Sequence, residues 1–233
     1  VSIFGQDALG VHRYIMMPQI EQTQEKMTGF LSYQYDQRHF IQLSRHMDIL
    51  NTRFNQDQEE ITRYDLSNQI DWVSTFPLLE WDQRLIFALG AQANYKKRIW
   101  VEGDTLVRTD EKVMGGYVMY DRTQSQRFSE GVSEGGKASL LFESYDPFQS
   151  SFSGHNVRID GSYFFSMAKS VWALDLLWAR ADETAEPFEL GDVVQVKTLF
   201  FNQRDFPLRG YDDGHPQLIG HRVNKGTLEW RIP

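Results

Sequence analysis

The sequence predicts an all-β fold, an antiparallel transmembrane β-barrel of which about eleven strands are present. Three observations predict it. Apolar and polar residues alternate with a period of two over stretches longer than ordinary strands, as expected when side chains point to opposite faces of a sheet. Aromatics make up 14% of the 233 residues, more than a core of this size requires and suited to girdles at two membrane interfaces. Short connections also alternate with longer polar ones. No apolar run approaches the roughly 18 residues of a membrane-spanning helix. Mean hydropathy is -0.49, which a barrel permits because only every second strand residue faces lipid.

Taken in order, residues 1–7 and 11–18 form two strands joined by Asp7-Ala8-Leu9-Gly10, a turn of the Asp and Gly type. After a polar connection, strands follow near 29–36 and 39–49 with only Gln37-Arg38 between them, and 51–60 reads as a surface loop. The strand at 61–75 sets Tyr64, Leu66, Ile70 and Trp72 against Arg63, Asp65, Ser67, Gln69 and Asp71, and 76–82 is a short connection. Strand 84–96 points Leu85, Phe87, Leu89, Ala91, Ala93 and Tyr95 one way, with Ala88, Gly90, Gln92, Asn94 and Lys96 the other. A charged loop at 97–111 leads to a strand near 112–121, then a polar segment to Gly136.

Strand 137–146 presents Ala138, Leu140 and Phe142 against Ser139 and Glu143. Strand 156–166 alternates most regularly, with Val157, Ile159, Tyr163 and Phe165 opposite Asn156, Arg158, Asp160, Ser162 and Ser166. A dry core would penalise Arg158 and Asp160 heavily, whereas a hydrated wall accepts them. Strand 171–180 aligns Trp172, Leu174, Leu176 and Trp178, placing Trp at both ends as interfacial belts require. The segment 181–222 is a long loop, followed by a strand with Thr227, Glu229 and Arg231 on one face and Leu228, Trp230 and Ile232 on the other.

Composition removes several functions. With no cysteine there are no disulfides, thiol nucleophiles or thiolate metal sites. A net charge of -8 and no concentrated basic patch argue against nucleic acid as a partner. His215 and His221 stand near Asp212 and Asp213, but the spacing matches no metal-ligand motif and reads as a solvated turn. Gly115-Gly116 and Gly135-Gly136 precede no helix and cradle no phosphate. Nothing brings a serine, a histidine and an orienting group together, so no catalytic residue is assigned and the chain is not read as an enzyme. No cofactor or metal is required.

The C-terminal part carries Phe206-Pro207-Leu208-Arg209-Gly210-Tyr211, then Glu229-Trp230-Arg231-Ile232-Pro233. This pairing of an Arg-Gly-Tyr tip with a Glu-x-Arg-x-Pro strand resembles the bacterial surface antigen superfamily of outer-membrane barrels, which includes the barrel-assembly insertase and the two-partner secretion transporters. Phe188-Glu189-Leu190-Gly191-Asp192 is similar to that family's Phe-x-Leu-Gly-Gly approach to its lid, with Asp192 where a second glycine is expected. The resemblance implies a sixteen-stranded barrel in the bacterial outer membrane, lacking here the first strand and the last four. It also implies that 181–222 is an extracellular lid loop whose tip, Arg209, Gly210 and Tyr211, folds onto the inner wall. The family's usual partner for the arginine lies on a strand beyond Pro233, so Glu229, Asp160, Asp175 and Glu143 are the inward carboxylates available, with Arg231 beside them.

Short connections at 8–10, 37–38, 76–82 and 167–170 then fall on the periplasmic side, and the longer ones outside. The segment 122–135 is the misfit, long yet periplasmic by parity. The function implied is assistance in inserting outer-membrane proteins or translocating secreted ones, with outer-membrane lipid and unfolded polypeptides as partners. The alternatives are a barrel that anchors or serves as a pore for a fused N-terminal periplasmic module and, third, a lipid hydrolase. Val1 opens in mid-strand and Pro233 directly follows one, so the chain is expected to be a fragment of a longer protein.

Overall fold

The structure, a computed structural model, describes residues 2–21, 26–53, 60–100, 106–125, 132–167, 170–191, 205–207 and 219–231. Among them the fold is all-β, with strands β1 (Ile3–Gln6), β2 (His12–Glu21), β3 (Lys26–Tyr35), β4 (His39–Arg53), β5 (Glu60–Leu79), β6 (Arg84–Trp100) and β7 (Leu106–Asp121). They continue as β8 (Gly135–Ser144), β9 (His155–Met167), β10 (Ser170–Ala181), β11 (Phe188–Gly191), β12 (Asp205–Pro207), β13 (Ile219–Gly220) and β14 (Arg222–Arg231). Eleven of these form one sheet in the order β1 to β10 and then β14, which is not closed. The pairings from β1 to β5, from β7 to β10 and of β10 with β14 are antiparallel, and β1 to β10 each lie beside their sequence neighbours, as hairpin connections dictate. The step from β10 to β14 skips a second sheet of three short strands, ordered β12-β11-β13.

The chain divides into two compact units. One comprises Val1–Ser74, Gly90–Val113 and Phe148–Ser151, and the other Thr75–Leu89, Met114–Pro147 and Phe152–Pro233. In the first, hairpin geometry is set by turn chemistry. Gly10, at φ 68°, closes the β1–β2 turn by donating its N–H to Asp7 O at 3.1 Å, while Asp7 Oδ1 accepts the His12 N–H at 3.0 Å. The β3–β4 turn puts two non-glycine residues, Asp36 (φ 49°) and Gln37 (φ 55°), in the left-handed region. A two-stranded connection with matching twist needs that conformation, and Asp tolerates it better than most residues do.

Several expected boundaries are corrected in one direction: the strands are longer. β4 and β5 remain paired out to Arg53↔Glu60, so the 51–60 loop contracts, and β6 and β7 reach Trp100 and Leu106, so the 97–111 loop contracts too. β5 also runs on to Leu79, and the turn expected at 76–82 is confined to 80–83, closed by the Glu80 N–H on Gln83 O at 3.0 Å. Polar residues do not end these strands. A ladder of backbone hydrogen bonds needs no apolar side chains, so polarity marks a change in what the strand faces. β5 has 20 residues, against the roughly 9–11 that cross a bilayer. The 181–222 segment is likewise not all loop, since β11, β12 and β13 lie within it.

The burial pattern is inverted relative to a soluble sheet. Polar side chains are covered, among them Asp71 (1% exposed), Gln92, Asn94, Glu111, Glu143 (0%), Asn156 and Arg158. Large apolar side chains are exposed, including Ile70, Trp72, Phe87, Leu89, Leu140, Phe142, Tyr163, Leu176 and Leu228. The alternation expected for 84–96, 137–146, 156–166 and 171–180 is present; Gln92, Asn94, Glu143, Asn156 and Arg158 are covered, together with apolar residues such as Leu141, Phe164, Ala173 and Ala179.

Candidate functional site

In the second unit, strand register arranges the covered face of β7, β8, β9, β10 and β14 into rows. One row runs Met119, Ser139, Asp160, Leu177, Lys225, and the next Asp121, Lys137, Ser162, Asp175, Thr227. On the other side of the Asp160 row lies Tyr117, Leu141, Arg158, Ala179, Val223. Alternation brings these residues onto one face, and antiparallel pairing aligns them across strands.

The four carboxylates expected near the lid tip fall in four different rows. Glu143 shares a row with Asn156 and Ala181, Asp160 and Asp175 occupy adjacent rows, and Glu229 lies opposite Ala173 and Phe164. From the Glu143 row to the Glu229 row is eight residues of β9, about 26 Å at roughly 3.3 Å per residue, so one arginine cannot serve all four. Each has a distinct environment. Glu143 is fully covered. Asp160 accepts Arg158 Nε at 2.9 Å and Ser139 Oγ–H at 3.2 Å, and Asp175 accepts the Ser162 hydroxyl. Glu229 is held by Arg231 on its own strand, through Nη2 at 3.0 Å and Nε at 3.3 Å. Arg231 also places its guanidinium 5.7 Å from the Phe164 ring centroid. Arg209, Gly210 and Tyr211 lie outside the described residues, as do Asp212, Asp213, His215 and Ile232.

A cavity of about 370 Å³ opens on this face, with Arg158, Asp160, Ser162, Asp175 and Lys225 among its walls. Phe206 of β12 also lines it. Phe206 is only 4% exposed, stands 5.9 Å from the Arg158 guanidinium and packs at 5.8 Å, tilted 48°, on Phe188, itself 1% exposed. Parallel pairing of Leu190 with Phe206 brings Phe188, Leu190 and Phe206 together as an apolar patch on the small sheet. Sequence reasoning gave neither phenylalanine a role of its own. The 181–222 connection holds four phenylalanines, Phe188, Phe200, Phe201 and Phe206, and nothing in the sequence singles out the first and last of them.

Residues 182–186 are tied to the β8–β9 connection. Asp182 Oδ2 accepts the His155 backbone N–H at 2.9 Å and lies 3.3 Å from His155 Nδ1, while Asp146 Oδ2 lies 3.6 Å from Nε2 of the same ring. The His155 backbone N–H, and then its ring, hold Asp182 below the usual carboxylate range. Ser153 N–H donates to Thr184 O at 3.0 Å, Thr184 Oγ–H returns to Ser153 O at 3.0 Å, and Tyr145 Oη–H donates to Glu186 at 3.3 Å. Gly154 fits only as glycine, because its φ is 88° and a Cβ there would lie 2.8 Å from Asp182 Oδ2.

The first unit carries a separate covered polar network. Ser67 Oγ–H donates to Asn94 Oδ1 at 2.5 Å, Asn94 Nδ2 to Glu111 at 3.3 Å, and Lys96 Nζ pairs with Glu111 at 2.9 Å. Asp71 receives Gln92 Nε2 at 2.6 Å and Gln69 Nε2 at 2.7 Å. Buried carboxylates persist when charge and hydrogen bonds offset their desolvation, and both are supplied here. In the same unit His39 Nδ1 lies 2.8 Å from Ser74 Oγ. No protein-family model matches the chain, and no curated protein matches it.

Proposed function

We propose that the sheet is part of an outer-membrane β-barrel of the bacterial surface antigen type, which assists insertion of outer-membrane proteins or translocation of secreted ones. The inverted burial carries this reading: charged and amide side chains are covered, while Trp72, Leu140, Leu176, Trp178, Leu228 and Trp230 are exposed. Water penalises that surface and a bilayer rewards it. The stacked row Phe165, Trp172, Trp230, with centroids 6.4 and 5.8 Å apart, supports an interfacial girdle near the end of β9 and the start of β10. The Arg-Gly-Tyr tip and the Glu-x-Arg-x-Pro strand supply the assembly role.

In this reading Arg209 folds onto the covered face and pairs with Asp160 or Asp175. Both line the cavity that Phe206 enters, and Phe206 is three residues from Arg209, a reach of about 10 Å. Glu143 is closed off, and Glu229 lies four residues of β9, about 13 Å at roughly 3.3 Å per residue, beyond the Asp160 row. The full-length protein reconstituted in lipid vesicles is expected to accelerate folding of a urea-denatured outer-membrane barrel over protein-free vesicles, and Arg209→Ala to lower that acceleration. Stable insertion of the protein with no acceleration would overturn the assembly role and leave a passive anchor.

A further inference from the structure

We infer that His12 and Tyr35 form a binding site for the phosphate of a membrane phospholipid, at the end of the exposed apolar face of the first unit, with Tyr33 and His39 as positioning residues. The inference rests on the bilayer reading given above and adds to it the groups through which one lipid is held. Register sets the residues side by side, since His12 pairs with Tyr35 and Tyr35 with His39. They stand at the start of β2, the end of β3 and the start of β4, beside the turns. Their rings form a file, with centroids 5.2 Å apart from His12 to Tyr35 and 6.0 Å apart from Tyr35 to His39.

A hydroxyl stands behind each imidazole. His12 Nδ1 lies 2.7 Å from Tyr33 Oη, and His39 Nδ1 lies 2.8 Å from Ser74 Oγ. When Tyr33 donates to Nδ1, the proton of the His12 ring sits on Nε2, on the far side of the ring. His12 Nε2 and the Tyr35 hydroxyl have no hydrogen-bond partner among the described residues. These are two donors on neighbouring rings, and two oxygens of one phosphate can accept from both. The carboxylates of the adjoining turns are engaged elsewhere, Asp7 by the His12 backbone N–H at 3.0 Å and Asp36 by Arg38 at 3.7 Å. The face itself assigns the anion to a lipid. Along the same side of β2, β3 and β4 come Tyr14, Tyr33 and Ile41, then Met16, Leu31 and Leu43, all exposed. Side chains thus pass from imidazole and phenol to aliphatic within four residues, as the headgroup and chains of one phospholipid require.

The test is native mass spectrometry of the full-length protein released from detergent, titrated with phosphatidylglycerol and with diacylglycerol, which has the same chains without the phosphate. One phosphatidylglycerol is expected to be held about ten-fold more tightly than diacylglycerol, the effect of a charge-assisted hydrogen bond. His12→Phe, which keeps a ring, and Tyr35→Phe should each remove most of that preference. Tyr33→Phe should reduce it although Tyr33 does not touch the phosphate, and His12→Gln, which keeps an N–H donor, should retain part of it. Unchanged preference in both His12→Phe and Tyr35→Phe overturns the inference, as does an equal loss of both lipids, which would mean chain packing alone. A dimer that retains no lipid and dissociates in His12→Phe would assign the face to a second copy and overturn it too. If His12→Phe fails to fold, Tyr35→Phe decides, since it removes a single exposed hydroxyl. Flotation with lipid vesicles separates the two readings. Protein that floats with a preference insensitive to these variants keeps the bilayer and loses the site, whereas protein that does not float loses both.

Discussion

Leu174 and Asp175 are neighbours in β10 with opposite surroundings: Leu174 is 38% exposed, and Asp175 accepts the Ser162 hydroxyl on the covered face. Arginine at Leu174 is expected to destabilise the folded protein in lipid by about 2 to 4 kcal/mol, as a charge on the lipid side near mid-depth does. Arginine at Asp175 should cost less, because water and Asp160 are at hand. Urea titrations in vesicles compare the two, and equal costs would argue for a sheet bathed by water on both faces. Asp182 offers a pH test. Its folded pKa is depressed, so its contribution is complete above the unfolded value of about 3.9 and is lost as pH falls through the lower folded value. Exchange protection of the His155 amide should therefore persist below pH 4 and then fall, and Asp182→Asn should abolish that pH dependence. An unchanged profile in the variant would remove Asp182 from the tie. At this scale the sequence was legible wherever alternation assigned a face, as for Arg158 and Asp160. It was silent on partners, because Arg158 meets Phe206 across 48 residues of chain.

Strand existence followed from period-two patterning, and the eleven strands of the large sheet correspond in number and order to the reading. Their ends did not, because Asn51 and Thr62 pair as well through the backbone as leucines would. The short strands β11 to β13 were missed for a related reason: two to four residues display no period. Turns give a sharper prediction. Replacing Asp36-Gln37 by Asn-Gly should stabilise the β3–β4 hairpin by about 0.5 to 1 kcal/mol, since glycine adopts a positive φ without the Cβ penalty. Gly154→Ala should destabilise by more than 1 kcal/mol on the order-of-magnitude scale for a strained backbone. Gly161→Ala, where nothing lies within 4 Å of the added methyl, should be nearly neutral. Denaturant midpoints for the three variants check the ranking, and a costly Gly161→Ala would mean that the exposed face of β9 is occupied.

For the molecule as a whole, the proposed topology is open to labelling without background, because the chain has no cysteine. A cysteine introduced between residues 101 and 105 is expected to react with an impermeant reagent on intact cells, and one at Lys169 to stay unreacted until the outer membrane is opened. Reversed labelling would sink the assignment of sides. Alternation alone is the same with either face inside, and the covered face was legible only from the charges on it, since Arg158 and Asp160 favour a hydrated wall over a dry core. The inversion also bears on how such a protein travels. Folded in water, it would present Trp72, Phe87, Leu140, Leu176 and Trp230 to every neighbouring copy, an invitation to precipitate. In the proposed barrel, such a surface would have to be formed at the bilayer, the chain reaching it unfolded.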